Sequence, residues 1–469
     1  MDRNNGGALG EAKPEGLLVR APYVVTMANK GETLRDAGVL IQGRNIAKIL
    51  TGERADALAR SGVETLNLKN AILTPGLINL HAHCAMSLFR GFADDLRLME
   101  WLNDNIWPLE RKHVGLEFVV HGSLIAMGEM LLGGVTTVND MYFFHAGVCK
   151  AAALLGIRAG IGCSIMEFAN GYAKDADDFL KKALDTEVPF MGEERLKFIL
   201  APHAPYTVSD ETFRKVLAAA EKYDMLIHCH IHETQDEIDQ SVEQYGVRPL
   251  ERLDRLGILS DRLIAAHMTR LTDEEIALAK DRGVSVAHNP ASNMKLASGF
   301  CRTRDLLKAG VNVGVGTDGA ASNNKQDMFS ELRLASLIAK GSTGDPLALG
   351  AYETLEMGTI NGAKAMHWDK LIGSIEEGKR ADLIAVDCGS LGARPLFDPV
   401  SHLVYAADRS DVTDVWVSGE RVVEGRRLTR VPEGYIEGIA DVWQERLSAD
   451  KAARCAASGP KSDSQRGSA

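Results

Sequence analysis

At 469 residues, 45% hydrophobic, 25% charged and 6% aromatic, the chain reads as an ordinary globular protein with room for one large domain plus appendages, or for two to three domains. Its formal charge of −11 offers no basic face to nucleic acid or acidic lipid, and no run is long and apolar enough to span a bilayer. A role on a small molecule is the default that remains.

The amino end, "MDRNNGGALGEAKPEG", has neither the basic start nor the apolar segment of a signal peptide, so the cytoplasm is the expected compartment and residues 1–15 a flexible lead-in. Short β-type runs with Gly, Asn or Asp turns follow: "GLLVRAPYVVTM", "AGVLIQGRNIAKIL" and "VETLNLKN". From about residue 71 to 379 the texture changes to strand-like runs alternating with helix-period segments. The runs are "AILTPGLINLHAH", "VTTVNDMY", "IRAGIGCSI", "LKFILAPHAPY", "MLIHCHIHE", "RLIAAHM", "GVSVAHNP" and "NVGVGTDG". Helical stretches such as "SDETFRKVLAAAEKY" and "TDEEIALAKDRG" lie between them, opening on Ser or Thr caps. Strand then helix, eight times, predicts a (β/α)8 TIM-type barrel. A doubly wound sheet is the competing architecture, but no Gly-rich dinucleotide turn follows the first strand. β-type runs return in "RADLIAVD" and "VTDVWVSGERVVEGRRLT", so 16–70 and 380–430 are expected to form one small composite β-sandwich from both chain ends. Residues 431–469 are read as a C-terminal helix and a disordered polar tail.

Seven cysteines (Cys84, Cys149, Cys163, Cys229, Cys301, Cys388, Cys455) show no CxxC spacing, so they are read as reduced thiols that pack, not as a zinc knuckle or a disulfide framework. The histidines are more pointed. His81 and His83 stand at i and i+2 on the first barrel run, so both leave one face of an extended segment. The fifth run offers His228, His230 and His232 on one face, with Glu233 next; the sixth ends at His267, the seventh at His288, the eighth at Asp318. All stand at the carboxyl ends of their strands, where a barrel assembles its active site. Three imidazoles and a carboxylate with a water match an open catalytic site for zinc or a similar divalent ion; a structural zinc would be closed, usually by thiolates.

The blocks "TPGLINLHAHCAMSLFRGFADDLRLMEWL", "APHAPYTVSDE", "HIHET", "AAHMTRLT", "HNPASNMKLASG" and "GVGTDGAASNNKQDM" together resemble the amidohydrolase superfamily, within it the 5-methylthioadenosine/S-adenosylhomocysteine deaminase branch. The resemblance implies one divalent metal ion, zinc first among candidates, on His81, His83, His230 and Asp318, with His267 and Glu233 beside the bound water. It also implies that Glu110 and His203 hold the ribose of a nucleoside. In the chemistry this implies, Glu233 protonates the ring nitrogen beside the attacked carbon, Asp318 passes the water's proton to the departing amine, and His267 orients the nucleophile.

Each assignment has a plainer alternative. Glu233 could be a helix-start carboxylate, His267 a strand cap, and Glu110 and His203 structural groups. His288 and Asn293 either brace their loop or touch substrate, while His228 and His232 are read as supporting or packing residues. Trp101 and Trp107 suggest an apolar lid over a base or thioether, although buried core is the commoner fate of aromatics at helical spacing. Lys197 stands at the start of the fourth run, away from where relatives with two metals carry a bridging lysine. In "GIRAGIGCSIMEF" only Arg158 is available to meet an amino-acid tail, at the wrong end of its strand, which favours 5′-methylthioadenosine over S-adenosylhomocysteine. The competing readings are a deaminase of guanine or another purine, a triazine hydrolase on the same metal site, and a barrel that binds without catalysis. The expected partner is a small nucleoside, with no nucleic acid or membrane, and pairing to a homo-oligomer is what the family implies.

Overall fold

The computed structural model describes residues 15–190 and 192–458; the amino-terminal lead-in before residue 15 and the polar tail beyond residue 458 lie outside the described residues. Five strands come first: β1 (Leu17–Val25), β2 (Thr33–Gln42), β3 (Asn45–Thr51), β4 (Glu64–Asn67) and β5 (Ala71–Pro75). Eight more follow: β6 (Leu77–Ala82), β7 (Val135–Tyr142), β8 (Arg158–Ile165), β9 (Leu196–Pro202), β10 (Leu226–Ile231), β11 (Leu263–His267), β12 (Ser285–His288) and β13 (Asn312–Val315). Four short ones close the series: β14 (Leu383–Asp387), β15 (Val412–Val417), β16 (Glu420–Glu424) and β17 (Arg427–Leu428). A final helix, Glu433–Ser458, packs back on the helix Leu116–Leu132 through an edge-on Phe118–Trp443 ring contact.

Strands β6 to β13 form one parallel sheet in chain order with helices between successive strands, the expected (β/α)8 barrel. Because helices cover the outside and side chains fill the inside, these strands are buried on both faces and read as unbroken apolar runs. Ile78, Leu80, Ile199, Leu226, Ile264, Ala266 and Ala287 fill the lower interior, plugged from below by Met366 and Trp368. Each fully buried Leu or Ile there contributes ~1.5–3 kcal/mol. Lys197 extends downward to the Met366 carbonyl at 2.5 Å.

Both chain ends share a nine-stranded mixed sheet in which the expected halves meet along the antiparallel β5–β14 pair. The run read as the first barrel strand divides at Gly76. Ala71–Pro75 joins the mixed sheet, Leu77–Ala82 opens the barrel, and a Cβ on Gly76 would sit 2.1 Å from the Thr136 hydroxyl. Arg158, wholly buried, ties the two sheets together through Asp382 (3.0 Å) and Ser418 (2.8 Å), so it is committed far from the barrel mouth. The six cysteines Cys84, Cys149, Cys163, Cys229, Cys301 and Cys388 are buried and none is in a disulfide, as expected of packing thiols. Among the described residues no single helix is long and apolar enough to cross a membrane.

Candidate active site

The barrel closes between its first and last strands, and that seam builds the site. Asp318 donates its backbone N–H to the His81 carbonyl (2.9 Å), while the buried Asn79 side chain accepts from Thr317 N–H (3.0 Å) and donates to Thr317 Oγ1 (2.7 Å). Gly316 permits the approach: a Cβ there would lie 2.7 Å from His81 N. His81 and His83 on one side are thereby set against Asp318 on the other. Asp318 Oδ1 lies 3.2 Å from His83 Nε2 and 3.5 Å from His81 Nε2, and His83 Nε2 is 3.3 Å from His230 Nε2. His267 also enters this cluster, within 4.8 Å of His81 and His230 at its ligand atom.

The hydrogen bonds behind the rings determine what the rings offer. His83 Nδ1 donates to the Met141 carbonyl (2.6 Å) and His230 Nδ1 to the His203 carbonyl (2.7 Å); a carbonyl only accepts, so in both Nε2 is the nitrogen left to face the cluster. His267 Nδ1 meets Asn293 Oδ1 at 2.8 Å, which assigns Asn293 to bracing the histidine. Asp318 Oδ2 accepts from the Ser292 and Ser322 hydroxyls (2.6 and 2.9 Å), and its Oδ1 is turned inward. His81 Nε2 is buried and makes no hydrogen bond.

These residues fit a metal ion. Four ligands on a tetrahedron ~2.1 Å from zinc stand about 3.4 Å apart, close to the His81–Asp318, His83–Asp318 and His83–His230 separations of 3.5, 3.2 and 3.3 Å. Burial, with the neighbouring rings, holds His230 well below the ordinary imidazole range, and burial takes His81 down to about 4, so both present lone pairs. Burial also works against charge on His83, but the hydrogen bond and charge of Asp318 outweigh it and hold His83 up at about 9. The pair keeps a proton where a cation would satisfy the carboxylate, the proton–metal competition expected of such a site.

Glu233 follows the cluster on the loop after β10. It is buried, its Oε2 lies 3.8 Å from His267 Nε2, and burial raises its carboxyl pKa above the usual range. Its backbone is pinned by Glu237, whose buried carboxylate accepts the N–H groups of His232 (3.0 Å) and Glu233 (2.8 Å). The expectation of three histidines on one face holds for His228 and His230 only. β10 ends at Ile231, His232 takes a left-handed φ of 55°, and its ring turns away to accept the Leu250 N–H at 3.1 Å. His228 stands behind His81, and His288 is buried on β12 away from the cavity lining.

Above the cluster lies a cavity walled by Trp101, Trp107, Glu110, His203 and Glu233, apolar and aromatic with a few convergent polar groups, as small-ligand sites are. Trp101, Trp107 and Glu110 come from one helical segment, Leu98–His113, interrupted by a π-turn at Leu102–Ile106. Glu110 Oε1 accepts from the Tyr142 hydroxyl at 2.7 Å, and burial pushes its carboxyl up to about 7. His203 Nδ1 pairs with Thr207 Oγ1 at 2.9 Å, and burial, then the neighbouring rings, lowers it to about 3. An aromatic annex adjoins, sharing Trp107, Glu110, Phe143 and Met166 and rimmed by exposed Arg111. Sequence reading missed Tyr142, Ser292 and Ser322; nothing about a tyrosine or serine in such segments marks it before the strands are assembled.

Residues 72–422 match the family model described as the amidohydrolase family. The chain belongs to that family. Family members depend on metal, in agreement with the donor cluster. The chain is 41% identical over 433 residues to the 5-methylthioadenosine/S-adenosylhomocysteine deaminase of Teredinibacter turnerae, covering 92% of this chain and 97% of that one. It is 37% identical to the 5′-deoxyadenosine deaminase of Methanothermobacter thermautotrophicus, over 92% and 99% of the two chains. The crystal structure of an adenosine deaminase from Xanthomonas campestris with bound zinc superposes with a TM-score of 0.91 at 43% identity, covering 94% of this chain and all of that one.

Proposed function

We propose that the protein is a metal-dependent hydrolytic deaminase of adenine nucleosides that converts 5′-methylthioadenosine to 5′-methylthioinosine and ammonia. The observation that carries this is the convergence of His81, His83, His230 and Asp318 from three separate strand ends beneath an aromatic-walled cavity, with the buried Glu233 carboxyl beside them. The relatives named as deaminases support the same reaction. One ion, zinc, is proposed, held by those four residues; Lys197 lies too far below to bridge a second. A divalent ion there would supply Lewis-acid activation of a water at neutral pH.

The chain's own groups do the remaining work. Glu233, whose burial favours the protonated form, donates to the ring nitrogen next to the amine-bearing carbon as the ring loses aromaticity. His267, its Nδ1 committed to Asn293, presents the Nε2 lone pair to the attacking water and orients it. Asp318, held at Oδ2 by the Ser292 and Ser322 hydroxyls, accepts the water's proton and passes it to the departing amine. Glu110 and His203 bind the ribose hydroxyls, and Trp101 and Trp107 cover the base and exclude water. A cytoplasmic location and a homo-oligomeric state belong to the same proposal.

One observation favours a second substrate. Arg111 has no ion pair among the described residues and rims the annex, where it could meet the carboxylate of S-adenosylhomocysteine. Arg111→Ala that loses about tenfold in kcat/KM, ~1.4 kcal/mol, on that substrate alone would assign it. The decisive assay offers zinc-loaded protein methylthioadenosine, S-adenosylhomocysteine, adenosine, guanine and a triazine, following ammonia and the ultraviolet shift. Turnover of the free base or triazine with silence on every nucleoside refutes the proposal. Silence on all five, with zinc bound, points to a binding protein instead. Glu233→Gln is expected to keep zinc and lose about 10²–10⁴-fold in kcat.

A further inference from the structure

His228 is spoken for by nothing in the reaction above, yet it is wholly buried and touches a proposed ligand. His83, His230 and His267 each have Nδ1 against an oxygen, but His81 Nδ1 lies 2.7 Å from another ring nitrogen, His228 Nε2. A contact of that length joins one N–H to one lone pair, and by itself it does not say which ring holds the hydrogen.

The far side of His228 decides it. His228 Nδ1 lies 3.1 Å from the Ile264 carbonyl oxygen, which can only accept. Among the described residues, the ring nitrogens of His228 meet this carbonyl and His81 and no carboxylate. A wholly buried imidazole without an anionic partner is neutral and carries one N–H. That hydrogen belongs on Nδ1, so Nε2 accepts and His81 Nδ1 donates. The last nitrogen in the chain, His81 Nε2, is then a bare lone pair, in keeping with its being buried and making no hydrogen bond beside His83 and Asp318.

We infer that His228 is a positioning residue that locks His81 in the Nδ1–H tautomer, through the sequence Ile264 carbonyl, His228, His81, so that Nε2 is always ready as a ligand. Backbone carbonyls do this for His83 and His230. At His81 no backbone acceptor is in place, because the strand there is bulged between Asn79 and Ala82 and the Gly316 backbone closes in beside His81 N. A second imidazole fills the gap. It both donates and accepts, which aliphatic residues cannot do.

The inference rests on the proposed role of His81 as a ligand, but its primary test does not involve metal. In metal-free protein labelled with ¹⁵N-histidine, long-range ¹H–¹⁵N spectra are expected to show His81 and His228 each protonated at Nδ1 and bare at Nε2. A wild-type His81 protonated at Nε2 overturns the inference, and no variant has to fold for that result to count. Chelator competition gives the second readout. His228→Leu is expected to weaken zinc binding about 10–100-fold, whereas His228→Gln, whose amide can donate to Ile264 and accept from His81, restores most of it. Equal affinity in wild type, His228→Leu and His228→Gln also overturns it. Wild-type protein that shows the expected tautomers but binds no zinc would instead count against the proposed function.

Discussion

Replacing Asn79 by alanine should open the seam on which the site is built. In the native protein the Asn79 side chain accepts the Thr317 N–H and donates to Thr317 Oγ1, and both residues are fully buried. Thr317 Oγ1 keeps Gln326 as a partner in the variant (2.8 Å), but the Thr317 amide is left without one. A stranded buried N–H costs about 1–3 kcal/mol, and losing the second hydrogen bond adds about 1 kcal/mol, so a total of about 2–4 kcal/mol is expected. Because Asn79 is two residues before His81 and Thr317 immediately precedes Asp318, the loosening should also spread the donor atoms. The assay is urea unfolding of zinc-loaded Asn79→Ala, Thr317→Val and the double variant, with zinc affinity measured alongside. A coupling of about 0.5–3 kcal/mol is expected together with weaker zinc binding in Asn79→Ala. A cost below about 0.5 kcal/mol with unchanged zinc affinity would refute the account of the seam.

Gly316→Ala should fold poorly or carry substoichiometric zinc, since its Cβ would meet His81 N at 2.7 Å and Asn289 Oδ1 at 2.6 Å; one zinc per chain by elemental analysis would contradict this. Removing zinc with a chelator should lower Tm by several degrees, because an ion at a thousand times its Kd stabilises by about 4 kcal/mol; an unchanged melting curve would argue against a tight site. Glu110, raised by burial from 4.5 to about 7, ionises in the folded protein as pH climbs through 7, and the ionised form is the better acceptor for ribose hydroxyls. KM for methylthioadenosine should therefore fall between pH 6 and 8 in wild type and stay flat in Glu110→Gln. The stability effect has the opposite sense: a carboxyl whose folded pKa is raised stabilises fully below 4.5 and loses that contribution as pH rises through about 7, so wild type should lose stability relative to Glu110→Gln over that range.

The barrel was legible because each strand, covered on both sides, had to be an apolar run, and because the residues that broke the pattern did so at one end of their runs. His81, His83, His230, His267 and Asp318 are polar exceptions at carboxyl ends, and the parallel sheet brings those ends to one mouth. The division at Gly76 was not legible. "AILTPGLINL" is apolar throughout, and only the partners, β1 and β14 for one half and β7 for the other, tell its halves apart. The supports of the site were hidden for a related reason. Ser292, Ser322, Asn79 and Tyr142 act on residues 26, 4, 238 and 32 positions away in sequence, and common residue types at such distances carry no local pattern.

The backbone at the mouth explains why simple alternation of side chains fails there. His232, His267, Met268 and Asp318 all have positive φ (55°, 76°, 51° and 62°), conformations that non-glycine residues adopt only when their surroundings impose them, at about 1–3 kcal/mol each. At β10 the consequence is direct. Strict alternation after His228 and His230 would send His232 into the cluster and leave Glu233 pointing outward. The left-handed turn at His232 instead expels that ring to Leu250 and delivers the Glu233 carboxyl to within 3.8 Å of His267. The turn is held from one side by Glu237, on the N–H groups of His232 and Glu233, and from the other by Thr269, whose N–H reaches the His232 carbonyl (2.9 Å) and whose hydroxyl reaches that of Glu233 (2.8 Å). The strain is thus offset by hydrogen bonds made off the cavity, leaving the acid and the imidazoles free to face the substrate.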